Sequence, residues 1–196
     1  MSCNIQLFFE YDHQIAVILI DHPPANAWNL EALTQFEAAI DQVAADSAVR
    51  VIIITGNGEK CFSAGLDVSD SVNAAANSDR ARRTWRKIDR FSKPVIAAMN
   101  GHALGGGLEL ALSCHFRILV NSPKVMVGLT ELNIGIIPGW GGTQRLARLV
   151  GRARALDMIL LSRRMNPQEA LEIGLVNQLA TPGDLMNDAL ALAKQL

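Results

Sequence analysis

The chain carries almost no excess charge. Eighteen Lys and Arg stand against nineteen Asp and Glu, a formal net charge of −1 over 196 residues. Nothing in that total suits a nucleic-acid backbone or an acidic membrane surface as partner. Cysteine is sparse as well: Cys3, Cys61 and Cys114 are odd in number and fall at no metal-like spacing. That argues against structural disulfides and a metal centre, and makes a reducing compartment, the cytoplasm, the expectation. No window approaches the ~20 consecutive apolar residues of a membrane span. The first residues, Met1-Ser2-Cys3-Asn4, put no basic segment ahead of an apolar run. What is plentiful is apolar content, at 49 % of residues. That suffices for a sizeable core in one domain, 1–196, with a small molecule as the expected partner.

Along the chain, strand-like and helix-like patterns alternate. Ile5 to Tyr11 and Gln14 to Ile20 read as a β-hairpin around Asp12-His13. The run Asp21 to Ala27 contains Pro23-Pro24 and cannot be regular structure. Leu30, Leu33, Phe36, Ile40 and Val43 then recur at helical spacing, and Val51 to Thr55 reads as a strand buried on both faces. A helix is predicted over 79–91, with Ala81, Trp85, Ile88 and Phe91 on one face and a set of Arg and Lys elsewhere, read as a solvated face, with phosphate steering as the lesser alternative. Further strands are expected at 94–99, 116–120, 124–128 and 175–180, and helices at 143–150, 151–161, 166–173 and 184–196. The recurring order of strand, strand, helix indicates an α/β layered architecture, sheets flanked by helices.

One stretch stands out. Gly101-His102-Ala103-Leu104-Gly105-Gly106-Gly107 runs into the helix former Leu108-Glu109-Leu110-Ala111-Leu112. Three consecutive glycines admit a ligand close to the backbone, and a helix N-terminus offers unpaired N–H groups to an oxyanion or phosphate. The P-loop and dinucleotide fingerprints need other spacings, which are absent. Taken alone, the glycines are better explained by close helix-on-strand packing. A second small-residue loop, Cys61-Phe62-Ser63-Ala64-Gly65-Leu66-Asp67, follows the strand at 51–55. A third, Ile137-Pro138-Gly139-Trp140-Gly141-Gly142, precedes a helix.

Together with Thr130-Glu131 and Thr143-Gln144-Arg145-Leu146, these segments closely resemble the crotonase family, the enoyl-CoA hydratases and isomerases, from about residue 5 onward. Four motifs in order are far more specific than any one of them. The resemblance implies a crotonase-like spiral of ββα units, coenzyme A thioester substrates, no further cofactor or metal, and a homotrimer or dimer of trimers. It implies that the backbone N–H groups of Leu66 and Gly106 bind the thioester oxygen as enolate charge develops. Glu109 and Glu131 occupy the family's two acid–base positions, with Glu131 the better candidate for the C2 proton. Ala25, Ala27, Ala64, Asp67 and Val68 match positions lining the coenzyme A cleft. Leu104, Pro138 and Gly139 match substrate-binding positions, Gly139 leaving room at the reacting carbons. Asp67 reads equally as a helix cap.

The expected reaction is reversible syn addition of water to a 2-enoyl-CoA. Alternatives on the same scaffold are a double-bond isomerase, a decarboxylase, a thioester hydrolase or a silent acyl-CoA-binding homologue. Two departures stand out: His115 where the family usually has aspartate, and Trp140 where a small residue is common. His102 and Cys61 are not expected to act chemically. Family members usually continue into a C-terminal helical extension, and this sequence is expected to be without it. Leu185, Ala189, Leu192 and Leu196 form an apolar stripe on the final helix, for which a neighbouring subunit is the expected cover.

Overall fold

The computed structural model describes residues 3–196. Strands β1 (Asn4–Glu10) and β2 (Ile15–Asp21) pair antiparallel from Asn4↔Asp21 to Glu10↔Ile15, the hairpin expected from their branched and aromatic content. Tyr11, Asp12 and His13 turn it with positive φ. Next come α1 (Leu30–Ala45), β3 (Val51–Gly56), β4 (Cys61–Ser63), α2 (Ala74–Asp89), β5 (Val95–Met99), β6 (His102–Leu104) and α3 (Gly106–Ser113). The chain continues through β7 (Phe116–Val120), β8 (Val127–Gly128), α4 (Gly142–Val150), α5 (Arg152–Leu160), α6 (Pro167–Glu172), β9 (Gln178–Ala180) and α7 (Leu185–Ala193). The large sheet has the order β1-β2-β3-β5-β7-β9, parallel after its first pair, and a small parallel sheet has the order β4-β6-β8.

The two sheets follow from the ββα repeat. β3, β5 and β7 lie side by side in the large sheet, and each is followed at once by a short strand of the small one. This brings the segments after β4, β6 and β8 to one edge, the carboxyl ends of parallel strands, where open α/β sheets bind ligands. Strand alternation divides the apolar residues between two cores. Ala16, Ile18, Ile20, Ile52, Ile54, Val95 and Ala97 face α1, α2 and α3, whereas Ile15, Val17, Val51, Ile53, Ile96, Ala98 and Ile118 face α7. Within the first core, Trp28, Phe36, Trp85 and Trp140 meet tilted or edge to face, with centroids 5.1–5.9 Å apart.

Several expectations change. The helix predicted over 79–91 begins at Ala74, because the Ala-rich run 74–76 is helical. Both presumed loops around Cys61 and His102 contain strands, too short to show periodicity. The predicted strand at 124–128 keeps only Val127 and Gly128, and that at 175–180 only its last three residues. The apolar stripe of the last helix is covered by this chain itself. Leu185 and Ala189 are buried against the second face of the large sheet, Leu192 packs beside them, and Leu196 remains outside. The stripe therefore gives no ground for a neighbouring subunit. Arg80, Arg83 and Lys87 pair with Glu37, Asp79 and Asp41, as a solvated charged face should. Among the described residues no helix is long and apolar enough to cross a membrane.

Candidate active site

The segments after β4 and β6 meet backbone to backbone. Gly65 has φ +89°, and a side chain begun there would lie 2.8 Å from both the Gly106 nitrogen and the Leu104 oxygen. One begun at Gly107 would lie 2.2 Å from the Ser63 oxygen. These glycines therefore serve close packing, and the same closeness sets Leu66 beside the first turn of α3. Leu66 is held by its neighbours: Gly65 O accepts from Trp28 N at 2.7 Å, and Asp67 N donates to Trp28 O at 2.9 Å. Among the described residues neither Leu66 N–H nor Gly106 N–H has a protein acceptor, and both residues border one cleft of about 300 Å³. Two free donors at one cleft, one of them at a helix N-terminus, form a ready site for a developing oxyanion.

Two carboxyl groups face the same space. Glu109, on α3, is 1 % exposed, and its Oε1 accepts from Trp140 N at 2.8 Å and Gly142 N at 2.7 Å. Burial raises its pKa, while those two N–H groups and the charge of Arg145 pull the other way. Glu131 opens a single 3₁₀ turn after β8 and is 9 % exposed. Among the described residues neither of its oxygens has a hydrogen-bond partner. Burial, and then the nearby charge of Glu109, push its pKa up to about 7. Unequal environments thus separate two residues of the same kind. Glu109 is placed as an acceptor through Oε1, whereas Glu131 is poised to hold or release a proton near neutral pH.

Of the residues singled out from sequence, the cleft is lined by Ala64, Leu66, Val68, Gly106, Glu109, Glu131 and Gly139. Trp140 also lines it, so closely that a side chain begun at Gly106 would meet its ring at 2.2 Å. Ala25, Ala27, Asp67, Leu104 and Pro138 are not part of that lining. The Ala25 carbonyl accepts from Ala64 N at 3.0 Å, and the Ala27 carbonyl from His22 Nδ1 at 2.5 Å. Ala25 thus meets the segment leading to Leu66, and Ala27 immediately precedes Trp28, which pairs with Leu66. Asp67 accepts from the Ser69 N–H at 3.0 Å and hydroxyl at 2.6 Å, closing a turn rather than capping a helix, since the next helical turn begins at Ser71 with Asp70 at its N-terminal boundary. Leu104 is half-buried and Pro138 buried. His102 Nδ1 accepts from Met126 N at 3.0 Å and ties β6 to β8. His115 Nδ1 accepts from Val95 N at 3.0 Å, and burial lowers its pKa, which suits a neutral acceptor. Cys61 is buried, with its thiol pKa raised by that burial.

Other residues complete the lining. Ser78 comes from α2, Arg164 from beyond α5, and Ile134, Ile136 and Ile137 form an exposed apolar rim after Glu131. The isoleucine run was visible in the sequence, but its meaning depends on Glu131 lying next to it.

The comparisons agree with this geometry. Residues 10–196 match the family model described as Enoyl-CoA hydratase/isomerase. The Short-chain-enoyl-CoA hydratase of Clostridium acetobutylicum is 40 % identical over 196 residues, covering 97 % of this chain and 74 % of that protein. A Probable enoyl-CoA hydratase of Bacillus subtilis is 45 % identical over 172 residues, 85 % of this chain and 66 % of its own length. The crystal structure of an Enoyl-CoA Hydratase from Bacillus anthracis superposes with TM-score 0.93 at 37 % identity, covering 98 % of this chain and 76 % of that one. Human mitochondrial delta3-delta2-enoyl-CoA isomerase superposes with TM-score 0.91 at 27 % identity, over 97 % of this chain and 76 % of that one. With the two-sheet ββα spiral, the paired backbone donors and the whole-chain match in agreement, this protein belongs to the enoyl-CoA hydratase/isomerase family.

Proposed function

We infer that the protein adds water reversibly to the double bond of a 2-enoyl-CoA thioester. The observation that carries this is the pair of buried carboxyl groups, one held by two N–H donors and one without a partner among the described residues, in a cleft that also offers two free backbone N–H groups. The thioester oxygen takes the N–H groups of Leu66 and Gly106, which draw electron density from C3. Glu109, the carboxylate, accepts a proton from water as the water oxygen bonds to C3, and Glu131, the acid, delivers its proton to C2. Atoms balance with water as the only co-reactant. Proton transfer and charge stabilisation complete the chemistry without a further cofactor. Delivery of both fragments from the carboxyl-lined side is what makes the addition syn.

Ala64, Val68 and Gly139 border the acyl group in this reading. Ala25, Ala27 and Asp67, outside the cleft's lining but beside the Leu66 segment, follow the course of the coenzyme A chain, and Leu104 and Pro138 support the walls. Homo-oligomerisation, as a trimer or dimer of trimers, and a cytoplasmic setting belong to the same proposal. The latter draws support from three cysteines that are all unpaired. The test is loss of the enoyl absorbance of crotonyl-CoA together with identification of 3-hydroxybutyryl-CoA. Conversion of a 3-enoyl-CoA without hydration would assign the isomerase instead, and acyl-CoA binding without turnover would make this a binding protein.

A further inference from the structure

The turn that holds Glu109 is itself held. For Trp140 N and Gly142 N to reach the same oxygen of Glu109, the peptide units between them must keep one orientation, and Gly141 adopts φ +109° to allow it. On the opposite side of that turn the Trp140 carbonyl accepts from Arg145 Nη1 at 3.0 Å. The same Nη1 fills the space where a side chain at Gly141 would begin, 2.0 Å from that point. Arg145 N also donates to Gly141 O at 3.0 Å, so backbone and side chain of one residue grip both peptide units. Its Nε lies 3.2 Å from Asp89 Oδ1 at the end of α2. The Arg145 side chain is only 12 % exposed.

A cation in the first turn of a helix opposes the helix dipole. Here Asp89, the Trp140 carbonyl and the Glu109 carboxylate compensate it. We propose that Arg145 is a positioning residue for Glu109, acting through the Trp140–Gly142 turn and by its charge. This rests on the hydration reading for its kinetic test only. The guanidinium fixes the two donors against Oε1 and favours the ionised carboxylate that accepts the water proton. The charged and titratable groups facing this assembly are Glu131 and Arg164 on the cleft side, and Asp89, Cys114, His115, Arg117 and Arg148 around the hollow behind it.

The experiment compares Arg145→Gln, Arg145→Lys and, as a control in the same hollow, Arg148→Gln. Arg145→Gln should lower kcat by about 10- to 100-fold, the scale of a misplaced catalytic group, with KM changed by less than about threefold. The acidic limb of its kcat profile should move to higher pH, since removal of the cation makes Glu109 harder to ionise. Arg145→Lys should return the limb to its parental position and recover part of kcat, and Arg148→Gln should match the parent. A folded Arg145→Gln with parental kcat overturns the proposal. So does a lowered kcat with an unmoved limb and no recovery by lysine, because that is a merely structural defect. If Arg145→Gln does not fold, Arg145→Lys decides: an unmoved limb with reduced kcat supports the assignment, and a displaced limb overturns it. Should the parent fail to hydrate enoyl-CoA, the hydration reading falls. The ¹³C-carboxyl titration of Glu109 in parent and variants then reads the effect of Arg145 directly, with the same displacement expected and its absence decisive.

Discussion

Replacing Glu131 with Gln should make the protein more stable and nearly inactive, and the gain should depend on pH in a defined sense. In the folded chain this carboxyl holds its proton up to about pH 7, against an ordinary value of 4.5, because burial and the charge of Glu109 oppose its ionisation. Between those two values the folded state binds more protons than the unfolded one, so stability falls as pH rises through that window. Above pH 7 the penalty is fully present. The gap from 4.5 to about 7 corresponds to roughly 3 kcal/mol at ~1.36 kcal/mol per pH unit. The amide of the introduced glutamine would also leave buried polar atoms unpaired, but that term is the same at every pH. The informative quantity is therefore the difference between two pH values. Urea unfolding of parent and Glu131→Gln at pH 5, where a small part of the penalty is already present, and at pH 8.5 should show the variant gaining on the parent by roughly 2.5 kcal/mol at the higher pH. In thermal melts this amounts to about 5–10 °C for a chain of this size. Hydration should fall by roughly 10²- to 10⁴-fold, as for other lost acid–base groups. An advantage equal at both pH values would refute the idea of a buried, partnerless carboxyl, and near-parental turnover would refute its role as acid.

Glu109→Gln should lower kcat by roughly 10²–10⁴ with acyl-CoA affinity within a few fold, measured by turnover and calorimetric titration. Gly142→Ala should reduce kcat more than stability, because its new Cβ would lie 2.9 Å from Glu109 Cγ and Oε1 and push the carboxylate aside. Chemical denaturation beside kcat separates the two effects. Gly106→Ala should almost abolish turnover through its 2.2 Å conflict with the Trp140 ring, while Gly106→Ala with Trp140→Ala recovers part of it. A double variant no better than the single would show that the ring is not the obstacle. Leu66→Ala, which keeps its N–H, should change kcat by less than about tenfold, whereas loss of an oxyanion donor is expected to cost roughly 10²–10³.

The parts that were legible in the sequence are those in which one residue's role follows from its immediate neighbours in the chain. Strand alternation assigned Ile52 and Ile54 to one face and Val51 and Ile53 to the other, and helical spacing marked Leu33, Phe36 and Ile40. The motifs gave Glu109, Glu131, Leu66 and Gly106, and all four border one cleft. Strands of two or three residues, such as β8, carry too few positions for a period, so their sequence does not distinguish them from loops or mark their ends. The stripe on α7 was correctly read as apolar but assigned the wrong cover, because amphipathicity states that a face needs a partner and not which one. The same limit applies inside the site. Glu109 and Glu131 are one residue type in one cleft, and only the placement of Trp140 N and Gly142 N beside one and of nothing beside the other distinguishes acceptor from donor. Both donors belong to peptide units more than 30 positions away in the chain, so no pattern local to α3 contains them. Nor does the Gly-Gly-Thr-Gln-Arg segment show that its arginine folds back onto the turn before it. What the motif encodes is a backbone shape, and the division of labour between the two carboxyl groups arises only when the small sheet brings that shape against α3.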